Sequence, residues 1–435
     1  MLLNRYLPKL VFIIVAIHFT AAAQEPASLQ KLLDRLDTLE KQNQALAEEI
    51  KTLREAVKSQ DMNDRVTRAE DRIAEQAQTK VSTGQHLPVS LNGMILFDAS
   101  QVQGTANSNF QQAYGSYGEG APAGAATLRQ SIIGLSVQGP TIAGGGNING
   151  AVSMDFYGPS SSDYDFRIRT GEISFDWANR SITVGQDKSI IAPLQPTSFA
   201  HVGTPALAGA GNLWLWRPQL KYEERRALTS NTGIVVDGAL FSTAESATTL
   251  PSLPAAMATG GPAIQARLGL THSWTDQTRF AIGIGAHEGH SYIAGQSLPS
   301  RVLSSDFLFK PLHWLEVTGT VFKGENFANL GGLPVSVAST GANLIPVRGT
   351  ASWMQVALPV TRRLTFDAYA GRQVNAVRYL SPFQIGGTLI YAGNILYRVG
   401  PNVILGFEAG RENVVYANHT LILANRYDAT LAYLF

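Results

Sequence analysis

Residues 263–272 read AIQARLGLTH, and alternate residues in this stretch differ in polarity. One set is apolar and the other is mostly polar; they are Ile264, Ala266, Leu268 and Leu270 against Gln265, Arg267, Gly269 and Thr271. Because successive side chains of a β-strand point to opposite faces, the stretch predicts a strand with one apolar and one polar face.

The same alternation recurs along the chain from residue 88 to residue 435. Phe280, Ile282 and Ile284 repeat it, and so do Leu364, Phe366, Ala368 and Ala370. A soluble sandwich would carry many Lys and Glu on its polar faces, whereas these polar faces are rich in Gly and almost free of Lys. The pattern predicts an all-β fold, an antiparallel transmembrane β-barrel of about 16 strands, with an apolar exterior and a polar lumen.

The connections between the predicted strands alternate in length. Short ones are predicted near 139–146, 178–180, 273–277, 311–313, 359–361 and 400–401. Long ones are predicted near 104–127, 189–215, 243–262, 326–348 and 372–384. Short turns at one end and long loops at the other are typical of a barrel threaded through an outer membrane.

Charge is unevenly distributed. Only 15% of the 435 residues are charged, against about a quarter in soluble domains, and 22 of the 67 charged residues lie between Glu25 and Lys80. The net charge of +1 gives no overall attraction to nucleic acid. The absence of Cys excludes disulfides and thiol chemistry.

The first 23 residues have the pattern of an export signal. Arg5 and Lys9 precede the apolar residues 10–19, which are followed by small residues at 21–23. About ten apolar residues are too few to span a bilayer as a helix. We therefore expect residues 1–23 to be a signal peptide.

Residues 24–60 contain a heptad repeat. Its seam is Leu29, Leu32, Leu36, Leu39, Asn43, Leu46, Ile50, Leu53 and Val57. A strict 3.5-residue repeat predicts supercoiling with partner helices, and a seam Asn favours a parallel arrangement. The heptads do not decide between dimer and trimer. The alternative is an amphipathic helix packed on the protein's own core. Residues 61–87 are predicted to be a helical or flexible linker, and 88–435 the barrel.

The chain ends with an alternating strand whose last aromatic residues are Tyr433 and Phe435. Both are expected in the aromatic girdle at one membrane interface. The pattern resembles the C-terminal signal that is read by outer-membrane barrel assembly machinery.

The sequence contains no recognisable catalytic or cofactor-binding motif. His287, Glu288 and His290 form the densest His cluster, but their spacing does not match a zinc helix, and a hydrated loop cluster is the favoured interpretation. His272 and Ser273 are adjacent, so in a strand they point to opposite faces. We expect no enzyme activity, no metal and no cofactor.

The predicted loop 189–215 (SIIAPLQPTSFAHVGTPALAGAGNLWL) lacks Asp, Glu, Lys and Arg and is apolar, unlike a loop facing water. In the strand that follows, Trp216, Pro218, Leu220 and Tyr222 are predicted to face outward. The predicted lumen-facing or constriction residues are Arg167, Arg169, Asp187, Arg217, Gln219, Lys221 and Arg267. Two interpretations of the basic ones stay open. They could draw anions through the lumen, or they could pair with Asp155, Glu172, Asp187 and Glu408 to hold the wall together.

Several short motifs resemble those of the DcaP-like trimeric porins of diderm bacteria. They are Val184-Gly185-Gln186, Trp216-Arg217-Pro218-Gln219, Glu316-Val317-Thr318-Gly319 and Phe322-Lys323-Gly324-Glu325-Asn326. The resemblance implies a homotrimer of sixteen-stranded barrels in the outer membrane, with a periplasmic coiled coil. Separately, the loop 189–215 resembles the constriction loop of sixteen-stranded general porins, which folds into the barrel and narrows it. It also implies passage of small, often anionic solutes. Ile132 departs from the family pattern, which would have an inward Arg there.

The sequence thus predicts a passive diffusion channel of the outer membrane, surrounded by outer-membrane lipid. A structural alternative is a plugged barrel that tethers the membrane to the cell wall through the coiled coil. An embedded lipid hydrolase is the enzymatic alternative, and no Ser-His pair supports it.

Overall fold

The computed structural model describes residues 81–82, 89–104, 123–158, 165–243, 258–293, 295–340 and 343–435. The predicted signal peptide (1–23), the predicted coiled coil (24–60) and all but two residues of the predicted linker lie outside the described residues. No helix in these ranges is both long and apolar enough to cross a membrane.

Sixteen antiparallel strands close into a barrel. They are β1 (Val89–Gly104), β2 (Ile132–Ile142), β3 (Gly146–Asp155), β4 (Arg167–Asp176), β5 (Arg180–Lys188), β6 (Trp216–Ala227), β7 (Thr232–Ser242), β8 (Pro262–Thr275), β9 (Thr278–Ile293), β10 (Gln296–Leu312), β11 (Leu315–Glu325), β12 (Arg348–Pro359), β13 (Leu364–Asn375), β14 (Ile385–Arg398), β15 (Val403–Tyr416) and β16 (Leu421–Leu434). Each pairs with the next along the chain, and β16 returns to β1, where Leu431 faces Phe97. The predicted strand number is confirmed, and closure leaves no open edge in the barrel.

Shorter elements lie at the ends of the barrel, and all of those described except Val81–Ser82, which pairs with the start of β1, are at the long-loop end. The additional strands are Val81–Ser82, Ala123–Thr127, Ala258–Gly260, Val337–Thr340 and Asn343–Pro346, and the 3-10 helices are Phe327–Leu330 and Val377–Tyr379. Ala123–Thr127 pairs with β1, and Val337–Thr340 pairs with Asn343–Pro346 as a hairpin.

The predicted alternation of faces is confirmed on the strands that suggested it. In β8, Ile264 and Leu268 are 65% and 48% exposed, whereas Gln265 is 1% exposed. In β13, Phe366 is exposed while Asp367 and Tyr369 are buried. Large apolar side chains therefore cover the outside of the barrel, and polar groups face its interior. Such an exterior is stable in a hydrocarbon solvent, not in water.

The two ends of the barrel differ as predicted. One end has the connections 143–145, 177–179, 228–231, 276–277, 313–314, 360–363 and 399–402. The other has 105–131, 156–166, 189–215, 243–261, 294–295, 326–347, 376–384 and 417–420. Two connections at the long-loop end are short, because β9, β10 and β15 extend further than the alternation predicted. The pairing of β3 with β4 contains a bulge, where the register shifts between Ser153 and Met154.

Candidate functional site inside the barrel

The loop 189–215, which we term the constriction loop, connects β5 to β6 and folds into the barrel. Ile191, Leu207, Ala210 and Leu213 have at most 1% exposure. Burial of such residues inside a barrel with a polar inner wall explains why the loop has an apolar, uncharged sequence.

One side of the constriction loop is bound to the wall near β2 and β4. The Gln130 side chain accepts hydrogen bonds from the Val202 and Gly203 amides, both at 2.8 Å, and donates to the Ala200 carbonyl at 3.0 Å. Arg169 donates to the Val202 carbonyl at 3.0 Å. These bonds satisfy four backbone groups of the loop with side chains of the barrel.

The other side of the loop is bound to β12, β14 and β15. The Thr197 amide donates to Gln355 at 2.6 Å, and Asn394 donates to the Thr197 carbonyl at 3.0 Å. The Ser198 hydroxyl donates to Glu408 at 2.6 Å. Because the barrel is closed, β15 lies only three strands from β2, so these bonds hold the middle of the loop to one arc of the wall. The start of the loop is bound elsewhere, since the Ser189 hydroxyl donates to Gln265 of β8 at 3.0 Å. As β8 lies seven strands from β15, the loop crosses the lumen and narrows it.

Glu408 is the most heavily bonded group of this attachment. Besides Ser198, it accepts from the Tyr369 hydroxyl at 2.6 Å, and its Oε1 lies 3.2 Å from His201 Nε2. Glu408 therefore fixes the loop and does not pair with an Arg, contrary to one sequence interpretation. A solvent-open pocket adjoins it, lined in part by Arg426 and Asp428.

Close backbone approach also holds the loop. A Cβ on Gly211, whose φ is +110°, would lie 2.1 Å from the Ser352 carbonyl oxygen of β12. A Cβ on Gly371 of β13 would lie 2.2 Å from the Ala210 carbonyl oxygen. Glycine at both positions lets the loop lie directly against the wall.

A second inner loop, residues 326–347, packs against the constriction loop. Phe327 and Leu330 form one apolar cluster with Ile191 and Leu213, and the Leu215 amide donates to the Leu330 carbonyl at 3.2 Å. Sequence reasoning assigned no role to this loop. Its run FANLGGLPVSV has the same apolar, Gly- and Pro-containing character as the constriction loop, which was an available signal.

Arg167 and Arg169 face the lumen and contact Asp155. Arg167 forms a bidentate pair with Asp155, with the shorter distance 2.6 Å, and Arg169 lies 3.7 Å from the same carboxylate. Both guanidinium groups stack on Trp216. Trp216 is only 9% exposed, so its predicted outward orientation is wrong. Trp216 is the first residue of β6, and the contacts with Arg167 and Arg169 keep its indole ring inside the barrel. Further along β6, Leu220 and Tyr222 face outward as predicted.

A further aromatic ring lies next to this group. Arg129 and Arg167 approach the Tyr157 ring at 4.9 and 5.0 Å from its centroid. Burial raises the pKa of Tyr157, and the neighbouring guanidinium groups oppose the shift. The phenol therefore stays neutral at physiological pH beside these cations. Arg129 was not among the predicted site residues.

The remaining predicted residues line β5, β6 and β8. Lys221 Nζ lies 3.9 Å from Asp187, and Arg217 is the cross-strand neighbour of Asp187. Gln219 is buried and donates to the Lys188 carbonyl at 2.6 Å. Arg267 lies 3.2 Å from Asp237 and 2.7 Å from Asp306. Arg167, Lys221 and Arg267 thus have acidic partners, which lowers the net field they present to a passing ion.

The predicted His cluster is divided between the faces of β9. His287 is 2% exposed and bonds to Gln265 and Ser300, whereas Glu288 is exposed and pairs with Arg301. The interpretation as a hydrated loop cluster is wrong, because β9 runs on to Ile293 and strand geometry separates successive side chains.

Comparison with solved structures places the fold among outer-membrane channels. The outer membrane channel DcaP of Acinetobacter baumannii is similar with a TM-score of 0.64 and 17% identity, over 82% of this chain and 99% of that chain. OmpF of Salmonella typhi is similar with a TM-score of 0.53 and 9% identity, over 82% of this chain and 100% of that chain. The anion-selective porin from Comamonas acidovorans is similar with a TM-score of 0.51 and 9% identity, over 80% of this chain and 99% of that chain. No family model and no curated protein matches the sequence. The resemblance expected from the short motifs is confirmed at the level of the fold.

Proposed function

We propose that this protein is a channel of the outer membrane through which small hydrophilic solutes diffuse passively. The observation that carries the proposal is a closed barrel with an apolar exterior, a polar inner wall and a loop bound to both sides of the lumen, at Gln265 and at Glu408. Single-channel recording in a planar bilayer tests it. Stepwise conductance supports the proposal, and a purified, folded protein that gives no steps contradicts it.

We further propose that the protein is a homotrimer whose subunits associate through a parallel coiled coil in the periplasm. The residues of its seam are Leu29, Leu32, Leu36, Leu39, Asn43, Leu46, Ile50, Leu53 and Val57. The heptad pattern supports chain association. A variant lacking residues 24–60 of the precursor should lose trimer stability, measured as the temperature at which the trimer dissociates in detergent. An unchanged dissociation temperature would assign assembly to the barrel alone.

We propose an anion preference set at the inner wall of β5 and β6, where Arg217 and Lys221 share one acidic neighbour, Asp187. Replacing both with Glu should move the reversal potential in a KCl gradient toward that of potassium, because a negative wall favours cations. Arg226→Gln, at the turn end of β6, is the matched control. An unchanged reversal potential in the double variant would remove both residues from the ion path.

The structural alternative, a plugged barrel that tethers the membrane to the cell wall, has one observation in its favour. The constriction loop and the second inner loop form an apolar cluster with Phe241 and Phe322 inside the barrel. That cluster fills part of the lumen. Conductance separates the two functions, since a plugged barrel passes no ions.

A further inference from the structure

Four cationic side chains form a patch on the outer wall of the barrel, which we term the outer basic patch: Arg301, Lys323, Arg348 and Arg372. Strand alternation places them outside. Val302 and Phe322 are buried at 2% and 1% exposure, whereas Leu303 and Val321 are exposed at 65% and 53%. The side chains of Arg301 and Arg348 are 57% and 74% exposed.

The patch lies at the long-loop edge of the apolar exterior. Lys323 and Arg372 are each eight residues from the turn end of their strands, at Leu315 and Leu364. At about 3.3 Å per residue and a tilt of about 40°, eight residues rise about 20 Å, and the eleven residues that separate Arg301 from Leu312 rise about 28 Å. The apolar band of such barrels is about 25 Å tall. The cations therefore lie where acyl chains meet headgroups.

The patch carries a net positive charge. Arg301 pairs with Glu288 at 2.9 Å and lies 3.7 Å from Glu325, which also contacts Arg348 at 3.2 Å. Within the described ranges, no acidic group lies in ion-pair range of Lys323 or Arg372. Four cations and two carboxylates leave a charge of +2. An Arg has five N–H donors, so these ion pairs leave several available.

Over the part of the chain that the structure describes, the rest of the outer wall carries cations at such heights singly, such as Arg411 of β15, which is eight residues from Val403 and faces outward with Tyr391. Most such positions are apolar, as at Leu135 of β2, Leu240 of β7 and Ile264 of β8, which are exposed and lie 7 to 11 residues from the turn ends of their strands. A general need for charge at the membrane edge would distribute cations around the barrel. Four cations on four adjacent strands, against single ones elsewhere, indicate a local binding surface.

We propose that the outer basic patch binds the headgroup of a bis-phosphorylated, multiply acylated glycolipid of the outer leaflet, with the acyl chains packed on Leu303, Val321 and Met354. From β10 to β13 the patch is about 14 Å wide, since strands are about 4.8 Å apart. That width and the charge of +2 match two separated phosphates better than the single phosphodiester of a phospholipid. Arg and Lys are the side chains that bind phosphate best.

The test uses the full-length protein in detergent and native mass spectrometry to count bound lipids. The probes are bis-phosphorylated lipid A, the same lipid after dephosphorylation, and phosphatidylglycerol. Wild type should retain bis-phosphorylated lipid A selectively. Lys323→Gln with Arg372→Gln should weaken that binding about 25-fold, because each cation near a lipid phosphate is worth about a factor of five. Arg226→Gln, on the outer wall at the opposite end, should bind as wild type does.

Three results would overturn the proposal: equal binding by wild type and the double variant, equal binding of phosphatidylglycerol, or cross-linking of Lys323→Cys between subunits, which would show a second copy on the patch. Arg301→Gln provides a second variant if the double variant does not fold. The proposal rests on the proposed outer-membrane location. Single-channel conductance of the same variants should be unchanged, so failure of lipid binding and failure of channel function are distinguishable.

Discussion

Removal of residues 194–210 from the constriction loop, with a short Gly-Ser linker in their place, should raise single-channel conductance about two- to threefold, because pore width sets ion flow. The deleted segment contains the groups that bind Gln130, Gln355 and Glu408 of the barrel wall. The retained residues Ile191 and Leu213 keep the apolar cluster that fixes the ends of the loop. Single-channel recording in a planar bilayer measures the effect.

Thr388→Val is the matched control for this deletion. It removes one hydrogen bond, from the Thr388 hydroxyl to the Gly209 carbonyl, while the other attachments remain. Conductance should stay near the wild-type value. A deletion variant that folds and conducts as wild type does would show that the loop lies outside the ion path.

Most of the barrel could be predicted because its signal is local. The period of two in segments such as 263–272 records the different solvents on the two faces of each strand. Strand ends were less predictable, since β9 and β10 continue past the apolar band to Ile293 and Gln296. Beyond that band the outward side chains no longer contact lipid, so apolar and polar residues need not alternate there.

The inner site was predictable in outline only. The apolar, uncharged sequence of residues 189–215 indicated a loop inside the barrel. Its attachments join residues distant in sequence, such as Ser198 with Glu408 and Gln130 with Val202, and they depend on which strands face each other across the lumen. Local patterns contain no information on such pairs.

The environment of Arg267 shows the same limit. Its register partner on β7 is Asp237, while Asp306 lies two strands away on β10. The guanidinium reaches Asp306 across Gly283 of β9, where a Cβ would lie 2.3 Å from Arg267 Nη2. In the sequence, Gly283 is one of many glycines on a polar face. In the structure, it provides the space for an ion pair between non-adjacent strands.

Arg267→Met should therefore destabilise the barrel strongly. The variant leaves Asp237 and Asp306, which are 7% and 3% exposed, without their shared cation. Removing one partner from a buried ion pair costs about 3–5 kcal/mol, because the remaining charge stays desolvated. We expect a loss of this size in the free energy of unfolding, measured by urea titration in detergent micelles.

Two further variants identify the cause of that loss. Asp237→Asn and Asp306→Asn in the Arg267→Met background remove the uncompensated charges, so most of the lost stability should return. Arg226→Met removes a cation that is 67% exposed, and the urea midpoint should not change. If the triple variant were no more stable than Arg267→Met, the loss would arise from packing around the Arg side chain. The arginine would then act as a spacer between β7 and β10, not as the counter-ion of both carboxylates.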